Sequence, residues 1–287
     1  MVDPDRTDPE TYYDDYGERE WERLDRDFFH RLEWEGTVEQ LDDHLPPVDD
    51  PADPPRIADV GGAAGRYSVW LAERGYDVTL IEPSEGQRDI AHEKLREHGV
   101  ADRVTVRDGD VRDLGAADDA FDATLCLGGP LSHVLDADER RQGAAELRRV
   151  TAPDGPVFVS VMGLLGAVMI TVQYAGRVDD EVDDLALMPD LVRERDYTAD
   201  LAERNGMEPV IFDCHFFRRD EFADLLSGAG LAVETVAALE GVAALRRSHF
   251  EELDEDARET VRTLNDLLRT DGTLADVSPH MLAVCRA

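Results

Sequence analysis

Three features are scarce in this sequence of 287 residues: lysine, clustered cysteine and long apolar runs. Only Lys94 is a lysine, so arginine supplies almost all of the positive charge. Cys126, Cys214 and Cys285 lack the close spacing of a metal site or a disulfide framework. No apolar segment reaches the roughly 20 residues that span a membrane, and the N-terminus is acidic, unlike a signal peptide. We therefore expect a cytoplasmic protein with free thiols, no bound metal and no membrane contact.

Positive charge is also scarce overall. The 65 acidic and 30 basic residues leave a net charge of -35, and the acids are spread along the whole chain. Repulsion among these acids destabilises the folded state at low salt, whereas molar salt reduces the range of the repulsion to about 3 Å. The balance is typical of a salt-accumulating cytoplasm, such as that of a halophilic archaeon. The arginine-rich stretch 140–149 alternates with acids, which predicts an ion-paired helix and no nucleic-acid surface.

The strongest local pattern lies in residues 56–67. A short apolar run predicts a buried strand at 57–60, three glycines follow within five residues, and an apolar helix then begins near Tyr67. Glycines at such a turn let the backbone bend sharply and approach a ligand, toward which the next helix directs its free N–H groups. A second strand, predicted at 77–81, ends at Glu82. An open α/β sheet places the acid that binds a ribose diol about 20 residues beyond such a turn.

Strands and helices alternate along the rest of the chain, which predicts a doubly wound, mostly parallel α/β sheet. The further predicted strands are 104–107, 121–127, 157–162, 231–237 and 280–285, and the helices between them are 84–98, 137–150 and 220–226. Residues 1–50 are interpreted as a helical cap and linker, which could also form a homodimer face. Residues 51–287 are interpreted as the sheet domain, with insertions at about 163–215 and 241–279. The first insertion is predicted to contain two helical pieces and the second a helix around 251–268. Ser84 and Gln87 predict a capping box at the start of the helix 84–98.

This arrangement resembles the Rossmann-like, class I S-adenosylmethionine-dependent methyltransferases. The first motif of that family is an acid, one residue, and three glycines at alternate positions. Here it stands as Asp59, Gly61, Ala63 and Gly65, with alanine in place of the middle glycine. The resemblance implies a seven-stranded sheet with an antiparallel last strand, and S-adenosylmethionine as the cofactor. It implies cofactor contacts from Asp59, Gly61, Gly62, Ala63, Gly65, Glu82, Pro83, Asp110, Val111 and Leu127.

The resemblance further implies in-line methyl transfer to an acceptor that it does not identify. Family members that methylate exocyclic amines of bases carry Asn/Asp-Pro-Pro-Tyr/Phe after the fourth strand, and residues 127–130 do not match it, so we expect a small-molecule acceptor. Two alternatives stay open. A nicotinamide-dependent oxidoreductase shares the turn and the acid, although Gly-x-Gly-x-x-Gly is absent. The second alternative is a non-catalytic module that binds S-adenosylmethionine.

Three residues are candidates for contact with the acceptor. His133 follows the fourth-strand motif and could act as a general base, although a packing role is the alternative. Tyr197 and His215 lie in the first insertion and are predicted substrate contacts. The tyrosines at 12, 13 and 16 could close over the cofactor, but we interpret them as surface residues of a helix.

Overall fold

The computed structural model describes residues 8–174, 184–209, 211–244 and 252–287, and a seven-stranded sheet forms its centre. The strands are β1 (Arg56–Val60), β2 (Asp77–Ile81), β3 (Val104–Arg107), β4 (Ala123–Cys126), β5 (Pro156–Met162), β6 (Asp196–Tyr197), β7 (Cys214–His215), β8 (Ala232–Ala238) and β9 (His280–Arg286). The main sheet has the order β3-β2-β1-β4-β5-β9-β8, and β6 pairs with β7 separately. In the main sheet, strand β9 is antiparallel to both of its neighbours, whereas the other pairs are parallel. The predicted sheet with its antiparallel last strand is confirmed.

The helices lie on both faces of this sheet and in the segments that extend beyond it. They are α1 (Pro9–Tyr16), α2 (Arg19–Glu22), α3 (Phe28–His44), α4 (Arg66–Glu73), α5 (Glu85–Glu97), α6 (Ala137–Val150), α7 (Leu164–Tyr174), α8 (Met188–Glu194), α9 (Ala199–Arg204), α10 (Arg219–Gly228), α11 (Glu255–Leu268) and α12 (Gly272–Val277). None of the helices in the described ranges is both long and apolar enough to cross a bilayer.

The central parallel strands β1, β4 and β5 are almost completely buried because helices cover both of their faces. All four residues of β4 are buried, and Ile57, Leu80 and Phe158 are fully buried in their strands. One apolar cluster joins the sheet to α6 and α10, and a second joins it to α3, α4 and α5. This double burial holds the strands rigidly, so the loops at their carboxyl ends keep fixed positions.

The N-terminal helices share the core of the sheet domain. Leu24 and Leu41 belong to the same apolar cluster as Ile57 of β1 and Leu71 of α4. Trp34 stacks on Tyr67, with ring centroids 5.0 Å apart. The helical cap predicted for residues 1–50 therefore packs tightly against the sheet from residue 24 onward.

Helix α5 begins as predicted at Ser84, whose hydroxyl accepts a hydrogen bond from the Gln87 amide at 3.0 Å. The reciprocal half of the predicted capping box does not form. The Gln87 side chain instead donates to the backbone oxygens of Tyr13 and Gly17, at 2.7 and 3.2 Å. The Ser84 amide donates to Glu82 at 2.9 Å. Helix α5 thus uses its capping residues to fasten the N-terminal segment.

The two inserted segments contain more helix than the sequence predicted. Helices α7, α8 and α9 occupy the first segment, where two helical pieces were expected, and they form a small apolar core with β6 and β7. The second segment contains the predicted helix, which begins at Glu255, and also the short helix α12. Helix α12 escaped prediction because its six residues, Gly-Thr-Leu-Ala-Asp-Val, are too few to show helical periodicity.

Candidate active site

A cavity of about 480 Å³ lies at the carboxyl ends of β1 to β4. Its volume falls within the roughly 300–1,000 Å³ of small-molecule sites, and its position is where ligands bind in open α/β sheets. Eight predicted cofactor residues line it, and so does the predicted catalytic residue His133. The eight are Gly61, Gly62, Ala63, Glu82, Pro83, Asp110, Val111 and Leu127. Asp59 and Gly65 are not among its lining residues.

The loop after β1 depends on glycine at two positions. Gly61 has a φ of +65°, and an added Cβ would lie 2.4 Å from Cγ of Pro130. Gly65 has a φ of +80° and begins α4, where an added Cβ would lie 3.3 Å from Ala91 of α5 and from Leu80 of β2. The first glycine therefore allows the loops after β1 and β4 to touch, and the second allows α4 to pack closely.

Asp59 supports this loop from below. Its Oδ2 accepts a hydrogen bond from the Ser68 hydroxyl at 2.7 Å, and the side chain is 1% exposed. The same oxygen would lie 2.7 Å from a Cβ on Gly62. Burial raises the pKa of Asp59 to about 6 although the bonds from Ser68 oppose this. In this structure Asp59 shapes the loop and does not face the cavity.

Ala63 stands where the related motif has its middle glycine, and its φ is +44°. A left-handed conformation of this kind costs an alanine about 1 kcal/mol relative to glycine. The Ala63 amide donates to Oε2 of Glu82 at 2.9 Å, which holds the residue in place. The alanine thus keeps the backbone conformation of a glycine and adds a methyl group at the cavity wall.

Glu82 connects the loops after β1 and β2. Oε2 accepts from Ala63, and Oε1 accepts from the Ser84 amide at 2.9 Å. The side chain is 5% exposed, and burial raises its pKa to about 7. Each carboxylate oxygen has a second lone pair, so Glu82 retains acceptor sites for a hydroxyl donor in the cavity. Such a donor would stabilise the ionised form.

Asp110, at the end of the cavity beyond β3, already forms an ion pair. Its Oδ1 accepts from the backbone amide of Arg112 at 2.8 Å and from the guanidinium at 2.6 Å. Arg112 also donates to Glu139 at 2.6 Å. The sequence did not single out Arg112, which lines the cavity beside Asp110.

His133 lies in the turn Pro130–His133 after β4. Its Nδ1 is 3.4 Å from the backbone oxygen of Asp213, and its Nε2 is 3.4 Å from the Tyr13 hydroxyl. The Phe212 ring packs edge-on at 4.5 Å between centroids. Burial lowers the His133 pKa to about 4, so the ring is neutral at pH 7. The carbonyl of Asp213 favours a proton on Nδ1 and leaves Nε2 as an acceptor.

Helix α1 forms the outer wall of the cavity. The sequence favours a surface role for its tyrosines over closure above the cofactor, and the structure agrees better with the second role. Tyr13 lines the cavity, and Tyr12 packs on Phe212 with ring centroids 4.7 Å apart. Asp14 accepts hydrogen bonds from the Ser84 hydroxyl and from the Gly86 amide. Periodicity alone could not reveal this wall, because the contacts cross about 70 residues of chain.

A buried network of charges backs the inner end of the cavity. Arg23 donates to both oxygens of Glu33, at 2.7 and 3.0 Å, and His280 bonds Glu240. Burial by itself lowers the pKa of His280, but the carboxylates of Glu33 and Glu240 outweigh that effect and raise this pKa to about 8. Atoms of Glu33, Glu240 and His280 lie within 4.8 Å of one another, a spacing that could hold a metal ion. Arg23 and the Ser278 hydroxyl already occupy these carboxylates, so the group serves as an ion-pair network.

The other two predicted substrate contacts lie outside this cavity. Tyr197 is 2% exposed and belongs to the apolar core of the first inserted segment. His215 is 4% exposed, with Nδ1 2.5 Å from Asp196 and Nε2 3.2 Å from Glu221. Their positions do not support direct contact with a ligand in the cavity. From the same segment, Asp213 lines the cavity instead, and Phe212 packs against His133.

A family model described as a methyltransferase domain matches residues 57–155, which include the loops after β1, β2, β3 and β4. This segment is a methyltransferase domain. It is similar to the methyltransferase GfsG of Streptomyces halstedii, which is 30% identical over 106 residues that cover 37% of each chain. A glycine/sarcosine N-methyltransferase of Aphanothece halophytica is 27% identical over 154 residues, 49% of this chain and 58% of the relative. The chain thus spans less than two thirds of both relatives.

The methyltransferase domain also matches solved structures. A SAM-dependent methyltransferase from Methanosarcina mazei has a TM-score of 0.52 at 19% identity, covering 68% of this chain and 85% of that one. At that identity the likeness concerns the fold. The family match assigns residues 57–155 to a methyltransferase domain, and the structural likeness agrees with the predicted Rossmann-like fold.

Proposed function

We propose that the chain is an S-adenosylmethionine-dependent methyltransferase that transfers a methyl group in line to a small-molecule acceptor. One observation carries the proposal. A single cavity brings together the glycine loop after β1, Glu82 after β2, Asp110 after β3 and Leu127 after β4. These are the positions at which the related enzymes are expected to contact the cofactor.

The cavity fits the shape and chemistry of such a cofactor. At Gly128, which lines it, an added Cβ would meet no atom of the described chain within 4 Å, so the backbone there is open. Glu82 offers acceptors for a pair of hydroxyls, and Asp110 offers acceptors for an amine next to the apolar Val111. Asp59 and Gly65 do not line the cavity and contribute indirectly, because they set the conformation of the loop after β1.

S-adenosylmethionine, when bound, supplies an electrophilic methyl group on a sulfonium. The protein must therefore align the acceptor and exclude water. Tyr13 and Pro130 narrow the cavity beside His133. The lone pair on the neutral Nε2 of His133 faces the Tyr13 hydroxyl at 3.4 Å, and in the complex an N–H or O–H of the acceptor would replace that hydroxyl as the donor. Because a base with a pKa of about 4 is weak, His133 orients the acceptor more than it removes a proton.

The acceptor class follows from enclosure. Among the described residues, α1 lines the outer side of the cavity, whose volume of about 480 Å³ suits a small-molecule acceptor. The glycine/sarcosine relative makes small amines a reasonable first set of acceptors. We also propose a cytoplasmic protein of a salt-accumulating cell that does not bind nucleic acid, with a homodimer as a possible assembly.

Calorimetry in molar KCl tests the cofactor. The protein should bind both S-adenosylmethionine and S-adenosylhomocysteine, whereas it should not change the fluorescence of a reduced nicotinamide. Glu82→Ala should weaken binding by about 1–3 kcal/mol, the range for losing hydrogen bonds to a charged group. Glu85→Ala is the matched control, because Glu85 is the exposed first residue of α5, three positions from Glu82. Absence of heat with both ligands would contradict the proposal.

A labelled methyl donor and a metabolite extract test the transfer. His133→Ala should leave S-adenosylhomocysteine affinity unchanged and lower turnover by much less than the roughly 10²–10⁴-fold expected for loss of a general base. The acid limb of the wild-type pH–rate profile should lie near pH 4 rather than near the ordinary histidine value of about 6.5. Cofactor binding without any methyl transfer would favour the non-catalytic module.

A further inference from the structure

The inner end of the cavity is lined by an acid and a base from the N-terminal segment. Glu20 belongs to α2, and Arg23 begins the turn that follows it. Both side chains line the cavity and are only 15% and 18% exposed. Neither belongs to the family match at residues 57–155.

Both side chains retain hydrogen-bonding capacity. The guanidinium of Arg23 has five N–H groups, of which Nε donates to Oε1 of Glu20 at 3.1 Å and two others donate to Glu33. Two N–H groups therefore have no protein acceptor in the described part of the chain. Oε2 of Glu20 likewise accepts no hydrogen bond from those residues. Burial raises the pKa of Glu20, which indicates that its charge is incompletely compensated.

The pair is held beside the glycine loop. Tyr67, in the first turn of α4 after that loop, interacts electrostatically with Arg23 and Glu33. Tyr13 on the outer wall interacts with Glu20, Arg23 and Glu82. Because Glu33 is 3% exposed and bonds Arg23 at two points, the guanidinium is fixed in orientation.

We infer that Glu20 and Arg23 form a recognition site for an α-amino-acid group. Oε2 of Glu20 accepts from the ammonium, and the free N–H groups of Arg23 donate to the carboxylate. The inference rests on the proposed function, and the group has two possible sources. It belongs either to the methionyl end of the cofactor or to an amino-acid acceptor.

The charges select this chemistry over simpler ions. A lone anion at Arg23 would face Glu20 and Glu33, and a lone cation at Glu20 would face Arg23. A zwitterion places each of its charges against the opposite one, and charge-assisted hydrogen bonds of this type are the strong ones. Binding of a zwitterion would complete the hydrogen bonds of the partly buried Glu20 and Arg23 side chains together.

A comparison of two adenosine ligands tests recognition of the amino-acid group separately from recognition of the adenosine. S-adenosylhomocysteine carries this group, whereas 5′-methylthioadenosine lacks it. Glu20→Gln and Arg23→Lys should lower S-adenosylhomocysteine affinity about tenfold to a hundredfold and leave 5′-methylthioadenosine affinity unchanged. Glu22→Gln, an exposed acid of the same helix, should change neither. Equal unfolding midpoints of the variants check folding, and Glu20→Gln suffices if Arg23→Lys does not fold.

Glycine titrated into protein saturated with S-adenosylhomocysteine tests the second source. If Glu20→Gln abolishes glycine binding and spares both adenosine ligands, the site holds the acceptor. If the variants bind all three compounds as the wild type does, the inference is overturned while the proposed function stands. A wild type that binds neither adenosine compound contradicts the proposed function, and absence of glycine binding then overturns this inference as well.

Discussion

The two walls of the cavity are stabilised by different kinds of interaction. The sheet wall consists of loops at the ends of strands that are almost completely buried, as Ile57, Leu80 and Leu125 show with 0% exposure. The outer wall is α1, which buries none of its eight residues. It is held by ring contacts and by hydrogen bonds that Asp14 accepts from Gly86 and that the Tyr13 backbone oxygen accepts from Gln87. Burial of apolar area stabilises the first wall, and a few polar contacts stabilise the second.

This difference indicates how a ligand enters an enclosed site. Removing α1 from the cavity breaks a small number of hydrogen bonds, each worth about 1 kcal/mol net, whereas moving a sheet loop disrupts the core. Local opening therefore belongs to α1. The predictions below separate the two walls.

Low salt should produce the largest effect because it acts on both walls. With a net charge of -35, we expect the melting temperature to fall steadily as KCl drops from molar to about 0.1 M, where screening reaches only about 10 Å. Helix α1, whose charged residues are all acidic, should detach before the sheet unfolds. Calorimetry and proteolysis at each salt concentration measure the two events, and a melting temperature independent of salt would contradict the argument.

Gly61→Ala should break the sheet wall. The new Cβ would lie 2.4 Å from Pro130 at a φ of +65°, so overpacking and backbone strain add up to about 2–4 kcal/mol of lost stability. Gly115→Ala is the matched control, because its φ is +56° and no atom lies within 4 Å of the new Cβ. It should lose about 1 kcal/mol. Urea unfolding in molar KCl gives both values, and equal losses would rule out the Pro130 contact as the cause.

The raised pKa of Glu82 should make the unliganded protein less stable as pH rises. Its folded pKa is about 7 against an ordinary value of 4.5, so the native state keeps a proton that the unfolded state releases. Stability is then fully present below pH 4.5 and is lost as pH rises through 7, by about 1–3 kcal/mol. Asp59 has the same sign, so Glu82→Gln should reduce the slope between pH 5 and 7 without abolishing it. An unchanged slope would show that Glu82 does not titrate there.

Asp14→Ala should loosen the outer wall alone and gives the smallest effect. It removes the acceptor for Ser84 and Gly86, so the opening of α1 should become easier by about 1–2 kcal/mol. Amide hydrogen exchange in α1 should accelerate while the global unfolding midpoint stays unchanged. Asp15→Ala, the exposed neighbour, should alter neither measurement. A lower global midpoint in Asp14→Ala would mean that α1 and the sheet unfold together.

The elements of the sheet were predictable because their signals are local. Strand β2 and helix α6 have the predicted bounds, since an apolar run or a capped amphipathic pattern is written in consecutive residues. The predicted strand at 121–127 is shorter in the structure, where β4 covers Ala123–Cys126. The assignment of cofactor contacts to ten positions remains a prediction, although eight of those positions line one cavity.

The sequence by itself determined the fold class, the succession of strands and helices along the chain, and the glycine loop, because period, capping and turn chemistry act within about ten residues of chain. Only the tertiary structure decided which side chains complete the cavity. Tyr13 and His133 are 120 residues apart, and Arg23 faces the glycine loop through the packing of α3 against the sheet. No local pattern specifies such pairs, because they arise from the burial of helix faces that share no motif.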